Sequence, residues 1–354
     1  MSTKLFDVII IGGGQAALAM GYFLKKAGLD FIILDNQQQP GGAWLHTWDS
    51  LRLFSPAAYS SLPGIMMTQE NAVEYPHRDE VIDYLARYER HYQLPLYRPH
   101  HVTSVKRDRD RDCLVVSDTK YQWRSRAVVS ATGTWSHPFI PSYPGQENYR
   151  SRQLHSAHYR TPSDFKGQRV LVVGGGNSGA QIFVEVAEVA DASWVTLAEP
   201  IFLPDEVDGR VLFERATARL KGDSEGASVG GIGDIVMVPP VKRARDKDIL
   251  VSKHPFTEFT ESGVKWQDGS EEEIDAVIWC TGFQPALDHL EPLGGLEPNG
   301  QVQVNHGQAV KEPGLWLVGY GDWASPGSAT LIGAARSAKE VAPRLVQYVN
   351  DIGR

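Results

Sequence analysis

The chain has 354 residues, 42% of them hydrophobic and 22% charged, an ordinary globular composition with room for two domains that each bury a core. Its 35 basic and 43 acidic residues leave a net charge of −8, and the basic ones are scattered, which argues against a nucleic acid or an anionic membrane as partner. The only two cysteines, Cys113 and Cys280, exclude a disulfide scaffold and a Cys-x-x-Cys redox centre and have no metal-like spacing; no metal site is expected. The first apolar run is too short for a signal peptide or a membrane span, so the cytoplasm is the expected compartment.

Phe6 to Ile11 is a β-branched run that predicts a strand buried on both faces, leading into Gly12-Gly13-Gly14-Gln15-Ala16-Ala17. A helix with Leu18, Tyr22, Phe23 and Leu24 on its apolar side closes at Gly28, and Phe31 to Leu34 forms a second strand that ends at Asp35. In this βαβ unit Gly12 permits the tight turn and Gly14 lets backbone N–H groups reach a pyrophosphate. Ala17 fills the helix-packing position where glycine is more usual, and Asp35 is placed to accept from a ribose 2′-hydroxyl.

Pro40-Gly41-Gly42-Ala43-Trp44 is a second glycine turn with an aromatic wall, followed by Trp48 and Leu51, a combination that suits a flat cofactor ring. Pro56 to Gly64 is turn-rich. An amphipathic helix follows Tyr75-Pro76-His77-Arg78, with Val81, Ile82, Leu85 and Tyr88 on its apolar side. The stretches 101–105, 113–116 and 121–124 read as a three-stranded meander, in which the alternating charges of Lys106 to Asp112 make a solvated hairpin turn. Ala127 to Ser130 then returns to the main sheet and ends at Ala131-Thr132-Gly133.

Arg169 to Val173 is another buried strand, followed by Gly174-Gly175-Gly176-Asn177-Ser178-Gly179, a helix from Ala180 to about Val189, and a strand Trp194 to Leu197 ending near Glu199. Gly12 and Gly174 are 162 positions apart, too far to serve one nucleotide, so two dinucleotide-binding domains are expected. Gly209 to Leu220 reads as a helix, Gly222 to Gly233 as a mobile glycine-rich stretch, and Val236 to Pro240 as a short strand or extended edge. Ile274 to Gly282 repeats the strand-to-Thr-Gly pattern of Ala127 to Gly133, each Thr-Gly turn closing its own glycine-loop domain. Leu315 to Gly319 forms a last strand, Tyr320-Gly321-Asp322-Trp323 its terminus, and Ala329 to Val349 a long helix returning to the first domain. The expected fold is α/β with two Rossmann-like domains, the second inserted in the first: 1–150, 151–282 and 283–354.

Together these motifs resemble the flavin-containing monooxygenases, over nearly the whole chain. The family's linker fingerprint aligns with Tyr149, Ser151, His155 and Tyr159, with its first two positions changed, and Tyr159 favours ordinary monooxygenases over the Baeyer–Villiger group. The stretch Gly41 to Leu51 and the tail Gly319 to Trp323 resemble the small bacterial members associated with arsenic-resistance operons. The resemblance implies FAD on the first loop, held by Gly12, Gly13, Gly14, Gln15, Ala16, Ala17, Asp35, Asn36, Gly42, Ala43, Trp44, Trp48, Leu51, Val102, Thr132, Gly133, Asp322, Thr330 and Leu331. It implies NADPH or NADH on the second, held by Gly174, Gly176, Asn177, Ser178, Gly179, Glu199, Arg210, Thr281 and Gly282, with Phe54 and Trp323 in the substrate pocket.

Two departures stand out. Phe54 occupies a position where many members carry Asn, and Ala198-Glu199 stand where arginines would take a 2′-phosphate; Glu199 could instead hold a ribose 2′-hydroxyl and favour NADH, while Arg210 is a candidate phosphate partner, and the choice between the two nicotinamides is left open. Flavin-borne chemistry is implied, in which a C4a-hydroperoxide oxidises a trivalent organoarsenical, a sulfide or an amine; no side chain is assigned as catalytic. His155 is expected to have a structural hydrogen-bonding role and Cys280 a packing one. The expected partners are a small-molecule substrate and O₂, and a homodimer is left open. One alternative is an NAD(P)H-dependent flavin reductase or oxidase serving a quinone, metal or protein acceptor; another is a non-catalytic nicotinamide sensor.

Overall fold

The computed structural model describes residues 4–68, 75–220, 234–325 and 327–352. The strands are β1 (Leu5–Ile11), β2 (Phe31–Leu34), β3 (Leu96–Tyr97), β4 (Ser104–Asp108), β5 (Cys113–Ser117), β6 (Gln122–Ser130), β7 (Arg152–His155), β8 (Arg169–Val173), β9 (Asp191–Val195), β10 (Ser252–Lys253), β11 (Glu258–Phe259), β12 (Gly263–Lys265), β13 (Glu271–Glu273), β14 (Ala276–Trp279), β15 (Val304–Asn305), β16 (Gln308–Ala309) and β17 (Leu315–Leu317). The α-helices are α1 (Gln15–Lys26), α2 (Arg78–His91), α3 (Asn177–Ala187), α4 (Gly209–Leu220), α5 (Pro239–Arg245) and α6 (Leu331–Ile352).

They form two compact units, the first from Met1–Leu45, Pro56–His137 and Gln284–Arg354, the second from His46–Ser55 and Pro138–Phe283. This division departs from the sequence-based one in three places: 46–55, 138–150 and Phe283 belong to the second unit. The first unit carries the parallel run β17-β6-β1-β2-β3, extended by β16 and β15. Its core includes Ile9, Ile11, Ile32, Leu34, Val128 and Leu317, and α1 packs against α6. The second unit carries the parallel run β7-β14-β8-β9-β10 and a separate antiparallel sheet β11-β12-β13. The two runs share one plan, in which the strand before the glycine loop lies centrally, between the strand after its helix and the strand that ends in Thr-Gly.

Several expected elements are shifted. The meander's third strand and the strand returning to the sheet are one strand, β6, whose first half pairs with β5 and whose second half pairs with β17. Arg107 of the charge run lies in β4 and pairs with Glu312, so only Arg109 to Asp112 turn in solvent. On α2, Tyr84 is buried with Val81, Leu85 and Tyr88, whereas Ile82 is half-buried; His77 and Glu80 form a capping box. β9 stops at Val195, because its partner β8 turns away at Gly174 after pairing Val173 with Val195; Leu197 is 88% exposed.

Helix α3 begins at Asn177, earlier than Ala180, because Gly176 serves as its N-cap. In place of an extended Val236–Pro240 there is one bridge, Phe202 to Ile235, after which Pro239 and Pro240 open α5, since a proline in the first turn loses no helical hydrogen bond. The glycine-rich stretch Gly222 to Gly233 lies outside the described residues. Among the described residues no helix is long and apolar enough to cross a membrane.

Candidate functional site

In the first unit β1 delivers the chain to Gly12, whose φ of +103° and whose hypothetical Cβ, 2.5 Å from the Ala131 carbonyl oxygen, admit only glycine. A Cβ on Gly13 would sit 2.3 Å from Oδ2 of Asp35. Gly14 differs: a Cβ there meets nothing nearer than the Gly42 Cα at 3.9 Å. The protein's own packing therefore leaves room above Gly14, as a backbone that must let a phosphate approach requires. Gly14 is the N-cap of α1 and offers no side-chain cap, and the first turn holds no acidic residue, so its free N–H groups favour an anion.

Three further segments converge on this loop. A Cβ on Gly42 would lie 2.7 Å from the Gly14 Cα, so the two glycine turns are in direct apposition. Gln15 ties the others together: its Oε1 accepts from Trp44 Nε1 at 3.0 Å and its Nε2 donates to the Ala329 carbonyl at 2.8 Å. Gly319 packs so closely that a Cβ would sit 2.6 Å from that of Ala16. Asp322 is exposed and accepts from the Gly327 N–H at 2.7 Å, while Thr330 caps α6 by accepting from Gly333 at 3.1 Å. Leu331 and Val102 are buried, Asn36 and Ala43 exposed, Ala17 is fully buried on α1, and Trp323 is half-buried beside Tyr320.

Asp35 follows β2 and is 3% exposed. Its Oδ2 accepts from Arg98 Nε at 2.7 Å, and the same guanidinium holds Glu89 bidentately at 2.9 Å, a neutralising arrangement for a buried carboxylate. Among the described residues Oδ1 has one long contact, 3.4 Å to the Gln37 N–H, and keeps lone pairs for a hydroxyl donor. Arg98 was not legible as a site residue, because no local pattern joins it to Asp35.

The second unit repeats the plan. Gly174 has φ +140°, and its Cβ would meet the Cys280 carbonyl at 2.2 Å, as Gly12 meets Ala131. Gly176 caps α3 with no side-chain cap and no acid in the first turn. Asn177 holds the place of Gln15 and uses its amide likewise, donating to the Asp234 carbonyl at 2.8 Å and accepting from the Val236 N–H at 2.9 Å. A Cβ on Gly179 would lie 2.0 Å from the Gly174 carbonyl oxygen, whereas the matching position of the first loop is Ala17. Ser178 follows Asn177 in the first turn of α3.

The residue matching Asp35 is Thr196: it follows β9 directly, is buried, and is the nearest neighbour of a Cβ on Gly175 at 3.5 Å. Glu199 lies further along the chain and is exposed. Arg210, in the first turn of α4, lies 3.8 Å from Asp208 and 4.0 Å from Glu214.

The two Thr-Gly turns are fastened alike. Thr132 Oγ1 donates to the Ala286 carbonyl at 2.6 Å and the Ala286 N–H donates to Gly133 at 2.9 Å; Thr281 Oγ1 donates to the Phe139 carbonyl and the Phe139 N–H to Gly282 at 2.9 Å. The first turn has more. Tyr320 Oη lies 2.5 Å from Ser130 Oγ, 2.7 Å from Thr132 Oγ1 and 3.2 Å from the Thr132 N–H, and Ser130 Oγ lies 2.9 Å from His289 Nε2. Burial lowers the His289 imidazole to about 4, opposed by Asp288 and reinforced by His101 and His137. The sequence carried one signal of this cluster, a polar Ser130 closing the apolar run Ala127 to Val129.

Trp48, Leu51 and Phe54, grouped by sequence with the first loop or the substrate pocket, lie in the stretch His46–Ser55 and pack on the second unit's core. Trp48 is 7% exposed against Tyr159, and Arg160 anchors the stretch by donating to the His46 carbonyl at 2.7 Å and accepting from the Asp49 N–H at 2.9 Å. Glu185 of α3 accepts from Ser50 and, at 3.0 Å, from Tyr159 Oη; burial pushes its carboxyl up, and those hydrogen bonds oppose the shift in part. His155 is 1% exposed, accepts from the Ala157 N–H at 3.1 Å, and has its pKa lowered by burial. Burial likewise pushes the Cys280 thiol up, away from the reactive thiolate.

Residues 9–203 match the family described as pyridine nucleotide-disulphide oxidoreductase. A flavin-containing monooxygenase from Stenotrophomonas maltophilia is 48% identical, with a TM-score of 0.89 and coverage of 98% of this chain and 99% of that one. The uncharacterized oxidoreductase CzcO of Bacillus subtilis is 29% identical over 347 residues, 96% of this chain and 99% of its own. Indole-3-pyruvate monooxygenase YUCCA4 of rice is 28% identical over 405 residues, with coverage of 99% and 90%.

Proposed function

The chain belongs to the flavin-containing monooxygenases, and from that premise we propose that it uses FAD on the first loop and NADPH on the second to pass one oxygen atom of O₂ to a soft nucleophilic small molecule: a trivalent organoarsenical, a sulfide or an amine. Bound on the first loop, with the Gly14 N-cap toward its pyrophosphate and Asp35 toward its ribose, FAD would supply the redox and O₂-activating chemistry that no side chain of the protein provides. The observation that carries the two assignments is the residue after the second strand of each unit, a buried carboxylate at Asp35 and a neutral hydroxyl at Thr196.

The first loop supplies the room above Gly14, the unpaired N–H groups of α1 and the free lone pairs of Asp35 for an adenosine diphosphate that ends in a ribose diol. The second loop presents the same helix end with Thr196, not a carboxylate, directly after its strand, where an acid would claim a 2′-hydroxyl or repel a 2′-phosphate, which supports NADPH over NADH. Gln15 and Asn177 brace their loops and need touch no nucleotide with their amides.

Anaerobic reduction with NADPH and with NADH in parallel, followed by O₂ and a panel of the three substrate classes, tests the proposal. Flavin reduction faster with NADPH, then oxygenated product formed in step with O₂ uptake, is the expected result. Turnover that persists without O₂ and yields no oxygenated product would replace it with the reductase reading.

A further inference from the structure

Counting protons along the buried cluster of the first unit leaves a single assignment. Ala286 offers only a carbonyl oxygen, so the hydroxyl hydrogen of Thr132 is committed to it. Thr132 Oγ1 must then accept from Tyr320, whose one hydrogen is thereby used. The contact between Tyr320 and Ser130 therefore takes the serine's hydrogen, and the contact between Ser130 and His289 takes a hydrogen from Nε2 of the imidazole. The chain runs one way, from His289 Nε2–H through Ser130, Tyr320 and Thr132 to Ala286, and Tyr320 Oη also accepts from the Thr132 N–H. Ser130 is fully buried, Tyr320 is 3% exposed and His289 6%.

Its location gives this chain a consequence. Thr132 belongs to the turn on which Gly12 rests, with the Thr132 nitrogen 3.1 Å from a Cβ built there, and Tyr320 stands between Gly319, packed on Ala16, and Gly321. The phenol thus holds the Thr-Gly turn and the tail turn, two walls of the first loop, in one register. The second turn cannot copy the device: Trp279 stands where Ser130 does, and its indole, a donor only, is given to Gln153.

We propose that His289, Ser130 and Tyr320 are positioning residues that set how tightly the first glycine-loop site holds its flavin. This rests on the assignment of FAD to the first loop. The test is FAD affinity of the apoprotein by titration, with NADPH affinity as the internal control. Tyr320→Phe should weaken FAD binding about tenfold or more, because it leaves the buried Ser130 hydroxyl and Thr132 N–H without an acceptor, and should leave NADPH affinity unchanged.

Ser130→Ala, which keeps the phenol, should cost several-fold. His289→Gln, whose amide can donate to Ser130, should hold FAD within about threefold, and His289→Leu should behave as Ser130→Ala. Nitrogen-15 NMR of the holoprotein should show the His289 ring protonated at Nε2 and bare at Nδ1. Wild-type FAD affinity in both Tyr320→Phe and Ser130→Ala overturns the proposal, as does an Nδ1–H tautomer. If Tyr320→Phe does not fold, Ser130→Ala and the two His289 variants decide alone. Gly14→Val separates the two levels: if it retains flavin, the assignment of the loop fails, and if it loses flavin while the network variants keep it, only the network role fails.

Discussion

After β1 the chain turns at Gly12 onto the Ala131 carbonyl, and after β8 it turns at Gly174 onto that of Cys280; each loop then opens a helix with an uncapped glycine and an amide side chain that braces the neighbouring segments. The units part company in what closes the loop. The first adds a buried acid held by Arg98, a second glycine turn at Gly42, the tail turn at Gly319 and the Tyr320 chain. The second has Thr196 in place of the acid. Among the described residues the first loop is enclosed by more separate segments than the second, as suits a nucleotide that stays bound. The contrast also explains the third glycine: Gly179 is forced by the Gly174 carbonyl 2.0 Å from its Cβ position, whereas at Ala17 the helix has room for a methyl.

The largest effect should come from Gly14→Val. Its Cβ meets no protein atom closer than 3.9 Å, so the fold should tolerate it, but the branched side chain fills the room reserved for the pyrophosphate. We expect a colourless, folded protein that does not regain flavin on reconstitution; a normal flavin content would erase the distinction between the loops. Next is Arg98→Ala, which strands Asp35 and Glu89 as like charges, one of them deeply buried, at a cost of about 3–5 kcal/mol, read as a lower denaturant midpoint. A loss below about 1 kcal/mol would mean that Asp35 is stabilised by something other than its arginine.

The βαβ units, the Thr-Gly turns and the repeat between the two halves were legible because each is a local pattern: an apolar run, glycines at fixed offsets, a second strand. The partnership of Asp35 with Arg98, 63 positions along the chain, left no trace in spacing, and neither did the chain from Thr132 to His289, since both exist only once separate strands are side by side. The equivalence of Thr196 with Asp35 was hidden for a related reason. Where a strand ends is set by the partner it pairs with, and β8 ends β9 at Val195, so reading on to Leu197 led to Glu199 instead. Trp44 and Trp48 looked like one aromatic wall because they are close in sequence, yet one is tied to Gln15 and the other lies in the second core.

One buried group in each unit, His289 in the first and Glu185 in the second, should respond oppositely to pH, with a smaller effect than the first two variants. His289 titrates near 6.5 when unfolded and at about 4 when folded, so between those values the unfolded chain binds a proton that the folded one refuses, and stability falls as pH drops. The swing is about 3 kcal/mol, and His289→Gln should flatten that part of the acid limb in urea titrations at pH 7, 5.5 and 4. An acid limb unchanged in the variant would assign the loss to other groups.

Glu185 of the second unit has the opposite sign. Its folded pKa is raised above the ordinary 4.5, so the folded state holds the proton better than the unfolded one, and stability is lost as pH rises from 4.5 through the folded value. Glu185→Gln keeps an acceptor for the Tyr159 hydroxyl and removes the buried charge, and should therefore raise stability at pH 8 by about 1 kcal/mol while gaining nothing at pH 4. A thermal melt series across that range reads both ends. Destabilisation at pH 8 would show instead that the ionised carboxylate, through Ser50 and Tyr159, is what fastens the stretch His46–Ser55 to its unit.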